Sequence, residues 1–178
     1  MAGCSSIAGP SGSLTPRPVD ISEAGTATQD PIVARGLAGV ETTGGPFVSG
    51  EIVGYLVDYN VQPGGGGPIF ELVAMKDGSV RRLDQGSIYR PRAAFGHLPA
   101  DRLGPEPSEE AAAREQAVTN ARQLLVAKFP DMASAVPQVF EYLVRLKRAD
   151  ASSIDVWVDA SGATVSPMGP SALKDWQP

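Results

Sequence analysis

Few residues in this chain have a type and spacing that could do chemistry. Among 178 residues there is one histidine, His97, in Phe95-Gly96-His97-Leu98-Pro99, and one cysteine, Cys4. A histidine can serve as a general base, but His97 has no companion in a recognisable motif and reads as a loop residue. A reactive thiolate needs a rigid positive environment, which Cys4 would lack in a flexible arm. One Cys and one His also exclude a disulfide framework within the chain, a Cys-rich zinc site and a His-pair metal motif.

Carboxylates are the next candidates. Asp155 and Asp159 flank Trp157 on one face of a predicted strand, and Asp58 lies near the end of another. Paired acids can cleave glycosides or hold hard cations. Here the alternation of Ile154, Val156 and Val158 with Asp155, Trp157 and Asp159 accounts for them as the solvent face of an amphipathic strand. The run Gly64 to Gly67 lacks the Lys-Ser/Thr of a P-loop and the glycine spacing of a dinucleotide fingerprint. It reads as a hairpin loop that would let a partner's backbone approach closely. There is no Gly-x-Ser-x-Gly elbow. The sequence therefore predicts no catalytic, cofactor-binding or metal-binding residue, no cofactor, and a protein that is not an enzyme.

Arg81, Arg82, Arg90 and Arg92, with Tyr89 among them, form the one basic cluster. A small barrel can bind nucleic acid with such residues. However, Arg81 and Arg82 are adjacent in a predicted strand and so face opposite ways. A chain with a net charge of −5 is also not a general nucleic-acid binder. The preferred reading is a rim that contacts protein, since Arg pairs bidentately with acids on a neighbour.

The elements that would position these residues follow from composition and periodicity. Residues 1–46 are rich in Gly, Pro, Ser, Thr and Ala and carry no aromatic residue. They read as an extended arm, because they bury too little apolar surface to offset the entropy of ordering. Residues 47–99 read as a compact β unit. Val53, Tyr55, Val57, Tyr59 and Val61 alternate as in a half-buried strand. Ile69 to Met75 and Val80 to Leu83 follow as strands, with a tight turn at Lys76-Asp77-Gly78-Ser79, and Ile88-Tyr89-Arg90 is a short closing strand. Residues 100–107 read as a linker.

In residues 108–166, Ser108 is a candidate N-cap, and Glu109 and Glu110 suit the positive end of a helix dipole. Ala113, Ala117, Ala121, Leu124 and Leu125 make a helical stripe that ends at Phe129-Pro130. Val136, Val139, Phe140, Leu143 and Leu146 share a face at helical spacing and predict a second helix over 137–149. A hairpin over 154–166 turns at Asp159-Ala160-Ser161-Gly162. Residues 167–178 read as an extended tail with Trp176 as an anchor.

The stretch from Gly50-Glu51-Ile52-Val53-Gly54 to Val80-Arg81-Arg82-Leu83 resembles SH3-like and PRC-type small β-barrels, and this resemblance implies a fold type alone. The expected class is α+β: a small barrel, then two helices and a hairpin, behind a long N-terminal arm.

The expected role is contact. The chain reads as a structural or interaction subunit of a larger assembly, such as an accessory or decoration protein of a bacteriophage virion or of a cytoplasmic assembly. Its partners would be protein subunits in multiple copies, met through the arm and the β unit, with Arg81, Arg82, Tyr89, Arg90, Arg92 and Trp176 as interface candidates. There are two alternatives. One is a nucleic-acid-binding barrel. The other is a bacterial lipoprotein of the outer membrane or periplasm, because Ala2-Gly3-Cys4-Ser5-Ser6 resembles the end of a lipoprotein signal. Membrane contact would then come through a lipid on Cys4. The chain as written has no apolar signal core and no apolar run long enough to span a bilayer.

Overall fold

A computed structural model of the chain describes residues 30–40, 47–61, 69–83, 96–97, 106–162, 164–168 and 173–176. In chain order the elements are α1 (Pro31–Val40), β1 (Phe47–Asn60), β2 (Ile69–Met75), β3 (Val80–Leu83), β4 (Gly96–His97) and α2 (Ser108–Lys128). A 3-10 turn (Pro130–Ser134) follows, then β5 (Val136–Arg148), β6 (Ser153–Asp159), β7 (Thr164–Pro167) and β8 (Leu173–Asp175). The strands make one antiparallel sheet in the order β4-β7-β6-β5-β1-β2-β3-β8. The fold is therefore α+β, and strands from both sides of the 100–107 linker join in a single sheet.

The main core lies between the sheet and the two helices. Tyr55, Val57 and Tyr59 alternate along β1 into this core and are fully buried. Burying one such side chain contributes about 1.5–3 kcal/mol. α2 starts at Ser108, but Pro107 occupies the cap position and no side chain caps the helix. Its buried stripe is Ala117, Val118, Ala121 and Leu125. Small residues let α2 lie close to the sheet, where the Tyr59 hydroxyl donates to the Val118 carbonyl at 2.9 Å. Phe70 of β2 packs on Phe129 at the helix end, 4.6 Å between ring centres.

Two expectations about helices are corrected here. Part of the extended arm is a helix. Asp30 accepts a hydrogen bond from the Ile32 N–H at 2.8 Å, and Pro31 sits at the first helical position, where its missing N–H costs nothing. Ile32, Val33 and Val40 then bury their side chains against the sheet. Glycine lets α1 come very close: a Cβ on Gly39 would stand 2.6 Å from the Cβ of Val165. Composition hid this helix, because its packing depends on the absence of side chains.

The second predicted helix is strand β5. Its register against β1 skips one residue at Phe140, since Leu56 faces Glu141 while the next residue, Val57, faces Val139. This bulge changes the parity of the strand. Val139 faces the helices, and so do Tyr142, Val144 and Leu146 beyond the bulge. Leu143 faces the other way, into a second buried cluster. Apolar residues on both faces, shifted by a bulge, imitate the three-and-four spacing of a helix. β1 has the same kind of bulge at Val53, between the pairs Ile52–Val144 and Gly54–Leu143.

The sheet is not closed into a barrel. β4 and β8 each have one neighbour among the described residues. It is nevertheless strongly curled. β7 and β8 stand six places apart in the sheet, about 29 Å if it were flat. The chain from Pro167 to Leu173 can reach about 22 Å at most. The sheet must therefore bend toward the face on which Met168 and Leu173 pack.

The close approach of α1 gives a direct test. Gly39→Ala should destabilise the protein by about 1–3 kcal/mol, the usual cost of overpacking. At Gly36 the nearest atom to an added Cβ is 3.4 Å away, so Gly36→Ala should be neutral or stabilise by up to about 1 kcal/mol through helix propensity. Denaturant unfolding of both variants checks the contrast, and equal effects would contradict this packing of α1.

Candidate binding site

The sheet face away from the helices carries a second buried cluster of Leu56, Val73, Leu83, Leu143 and Trp157. Trp157 is 3% exposed, so the expected solvent face of β6 is a second core. The reason lies in the partner strands. Trp157 faces Leu143 across β5–β6, and Leu143 faces Gly54, a register that one strand's own alternation cannot reveal.

An open cleft of about 700 Å³ borders this cluster. Val53, Met75, Leu143, Met168 and Leu173 supply apolar surface to it. Glu51, Asp77 and Asp155 oppose Lys76, Arg81 and Arg145 around it. Register builds its polar wall: Glu51, Arg145 and Asp155 form one row across β1, β5 and β6. The bulge at Val53 places that side chain beside Met75 and the row.

Every charge on this rim is engaged. Arg145 holds Asp155 with two parallel bonds, Nε to Oδ1 and Nη2 to Oδ2, both 2.9 Å. The bond to Asp155 raises the pKa of the guanidinium. Lys147 Nζ lies 2.7 Å from Glu51 Oε1, and this hydrogen bond lowers the pKa of the Glu51 carboxyl. Arg81 Nη1 lies 2.8 Å from Asp175 Oδ1. Lys76 Nζ donates to Glu110 Oε2 at 2.6 Å. Asp77 accepts from the Ser79 hydroxyl at 2.6 Å and from its N–H at 2.9 Å, which lowers the Asp77 pKa. Glu110 also accepts the Tyr55 hydroxyl. Burial, followed by that bond, pushes the Tyr55 pKa up, so this phenol stays protonated at neutral pH.

The arrangement offers a mixed surface, in which an apolar patch is bordered by charges already engaged in ion pairs and hydrogen bonds. Two methionines, Met75 and Met168, make the surface adaptable. No group of three or more His, Cys, Asp or Glu side chains that could hold a metal ion occurs among the described residues.

The predicted site residues are dispersed. Arg81 lines the cleft, whereas Arg82 is exposed, pairs with Lys174 of β8 and faces the opposite way. Trp176 is half-buried against the main core. Its backbone N–H donates to the Val80 carbonyl at 3.1 Å, and Lys128 Nζ stands 5.7 Å from its ring centre. Tyr89, Arg90, Arg92, Cys4, the Gly64–Gly67 run and the predicted closing strand at Ile88–Arg90 lie outside the described residues. The His97 backbone pairs with Thr164 in β4–β7, where a loop was expected. Of the three candidate acids, Asp155 joins the cleft, Asp159 forms a turn by accepting from Ser161, and Asp58 faces Glu71 across β1–β2. Sequence reasoning missed Glu51, Val53, Met75, Leu143, Arg145, Met168 and Leu173, because only cross-strand register and the curl bring them together.

No family model, curated protein or solved structure matches this chain. No helix among the described residues is long and apolar enough to cross a membrane.

Two predictions follow from these charges. Arg145→Met should cost about 1 kcal/mol at low salt, because the half-buried Asp155 carboxylate loses its partner. Arg145→Met with Asp155→Leu should cost less than the two single changes added together, and a double-mutant cycle by urea unfolding reads the difference. Burial raises the Asp58 pKa above its ordinary 3.8. The folded state therefore binds a proton more tightly than the unfolded chain, and stability falls as pH rises from about that value through the raised pKa. Asp58→Asn should then raise the Tm at pH 7 and leave it unchanged below pH 3, which melting curves at the two pH values would check.

Proposed function

We propose that this protein is a non-enzymatic interaction subunit of a larger assembly, and that its concave sheet face binds an extended, predominantly apolar segment of a partner protein. The observation that carries this reading is the cleft. It has the size of sites that enclose a few side chains, and Val53, Met75, Leu143, Met168 and Leu173 form an apolar patch among its charged lining residues. All six charged side chains around it are already held by protein partners. A catalytic site keeps an acid, base or nucleophile available to its substrate, whereas these groups act as a rigid frame. Fixed ion pairs around an apolar patch fit the usual layout of a protein contact, with a dry centre and a polar rim.

Arg81 belongs to this frame. Its ion pair with Asp175 ties the edge strand β8 to β3, which favours a structural part in the interface over phosphate binding.

Selection of binders from a peptide library displayed against the full-length protein tests the proposal. The expected binders are extended apolar segments. Val53→Asp puts a charge on the apolar surface at a half-buried site, and should weaken their binding at least tenfold while leaving the melting curve cooperative. Failure to select any peptide, or equal binding by the folded Val53→Asp variant, would overturn it.

A further inference from the structure

The strand order β4-β7-β6-β5-β1-β2-β3-β8 has a symmetry that the sequence does not announce. Exchanging β1 to β4 for β5 to β8 returns the same order read from the other end. The exchange holds residue by residue at the centre. Tyr55-Leu56-Val57 recurs 87 positions later as Tyr142-Leu143-Val144. Tyr55 pairs with Tyr142, and on either side Gly54 pairs with Leu143 and Leu56 with Glu141. The two rings meet edge to face with centroids 5.8 Å apart. Each strand carries its bulged residue two positions before its tyrosine, Val53 in one and Phe140 in the other.

The hairpins that follow are built alike. The turn after β2 is held by Asp77 accepting from the Ser79 N–H and hydroxyl. The turn after β6 is held by Asp159 accepting from the Ser161 N–H and hydroxyl at 2.8 and 2.5 Å. The helices are exchanged in part: α1 lies over β5, β6 and β7 and also over β1 of its own unit, while α2 lies over β1 and β2 of the other unit. The last strands are exchanged too, since β4 pairs with β7 and β8 pairs with β3.

We infer that the chain is a fused two-fold pair. The unit from α1 to β4 and the unit from α2 to β8 are each other's binding partner, and the surface between them is one that a second copy of the C-terminal unit can also fit. Reciprocal exchange of equivalent elements about an axis is the geometry of a two-fold dimer.

The charges across the seam determine which pairings are favoured. Glu51 faces Arg145 and bonds Lys147 at one end of the β1–β5 ladder, and Asp58 faces Gln138 at the other. Two C-terminal units would set Arg145 opposite Gln138 at both ends, with no like charges in register. Two N-terminal units would set Glu51 opposite Asp58 at both ends, an unfavourable pairing. The mixed pair is therefore preferred, self-pairing of the C-terminal unit comes second, and self-pairing of the N-terminal unit is disfavoured.

The experiment begins with the full chain carrying a flexible spacer and a protease site within residues 98–105. After cleavage of the folded protein, the two halves should elute together at the mass of the intact chain. Once separated in denaturant, the C-terminal half refolded alone should elute at twice its own mass with a β-rich spectrum. Adding the N-terminal half should convert that dimer into the mixed pair. A C-terminal half that stays unfolded, aggregates or remains monomeric while the cleaved pair elutes intact, or a dimer that the N-terminal half does not displace, would overturn the inference.

Discussion

The antiparallel ladder between β1 and β5 is the constraint on which the rest of the structure depends. These are the two longest strands, and they lie at the centre of the sheet. Their helix faces supply Tyr55, Val57, Tyr59, Val144 and Leu146 to the main core, and their other faces supply Leu56 and Leu143 to the second cluster. Register in this ladder decides both sides at once, because a slip of one residue would turn each core side chain to the opposite face. Bulges at Val53 and Phe140 correct the parity on each strand, so that apolar residues continue to meet across the sheet.

The cleft is a by-product of this geometry. A flat sheet with helices on one side would leave its other side as an exposed plane. Here the short connection from β7 to β8 requires curvature, and curvature turns that plane into a hollow. Met168 and Leu173 then pack where the two edges of the sheet approach each other. The ion pairs at its border run from the row Glu51, Arg145 and Asp155 across the central strands to Arg81 and Asp175 at the β8 edge.

Much of this fold is legible along the chain. The alternation from Tyr55 to Val61, the glycine turns at Gly78 and Gly162 (φ +86° and +71°) and the helix from Ser108 follow from local rules, and the structure has them, whereas Val53 leaves the alternation at the bulge and joins the opposite face. Two elements escaped for physical reasons. α1 owes its place to Gly39, which fits against Val165, and to Gly50 of β1, which leaves room for Val33, a property that composition presents as flexibility. β5 is apolar on both sides and bulged, so its periodicity imitates a helix. The binding cleft was not legible, because Glu51, Arg145 and Asp155 are remote in sequence and become a row only through strand pairing. Asp155 was visible as a candidate acid, but its partner Arg145 was assigned to a helix.

The pairing of β8 with β3 has a consequence for how the protein is made. Leu173, Lys174 and Asp175 finish the edge of strands that leave the ribosome about ninety residues earlier. Until Leu173–Asp175 are made, β3 presents an unfilled edge to whatever is nearby, and such edges invite association with other chains. The nascent protein therefore depends on a segment made about ninety residues later to cover the edge of β3.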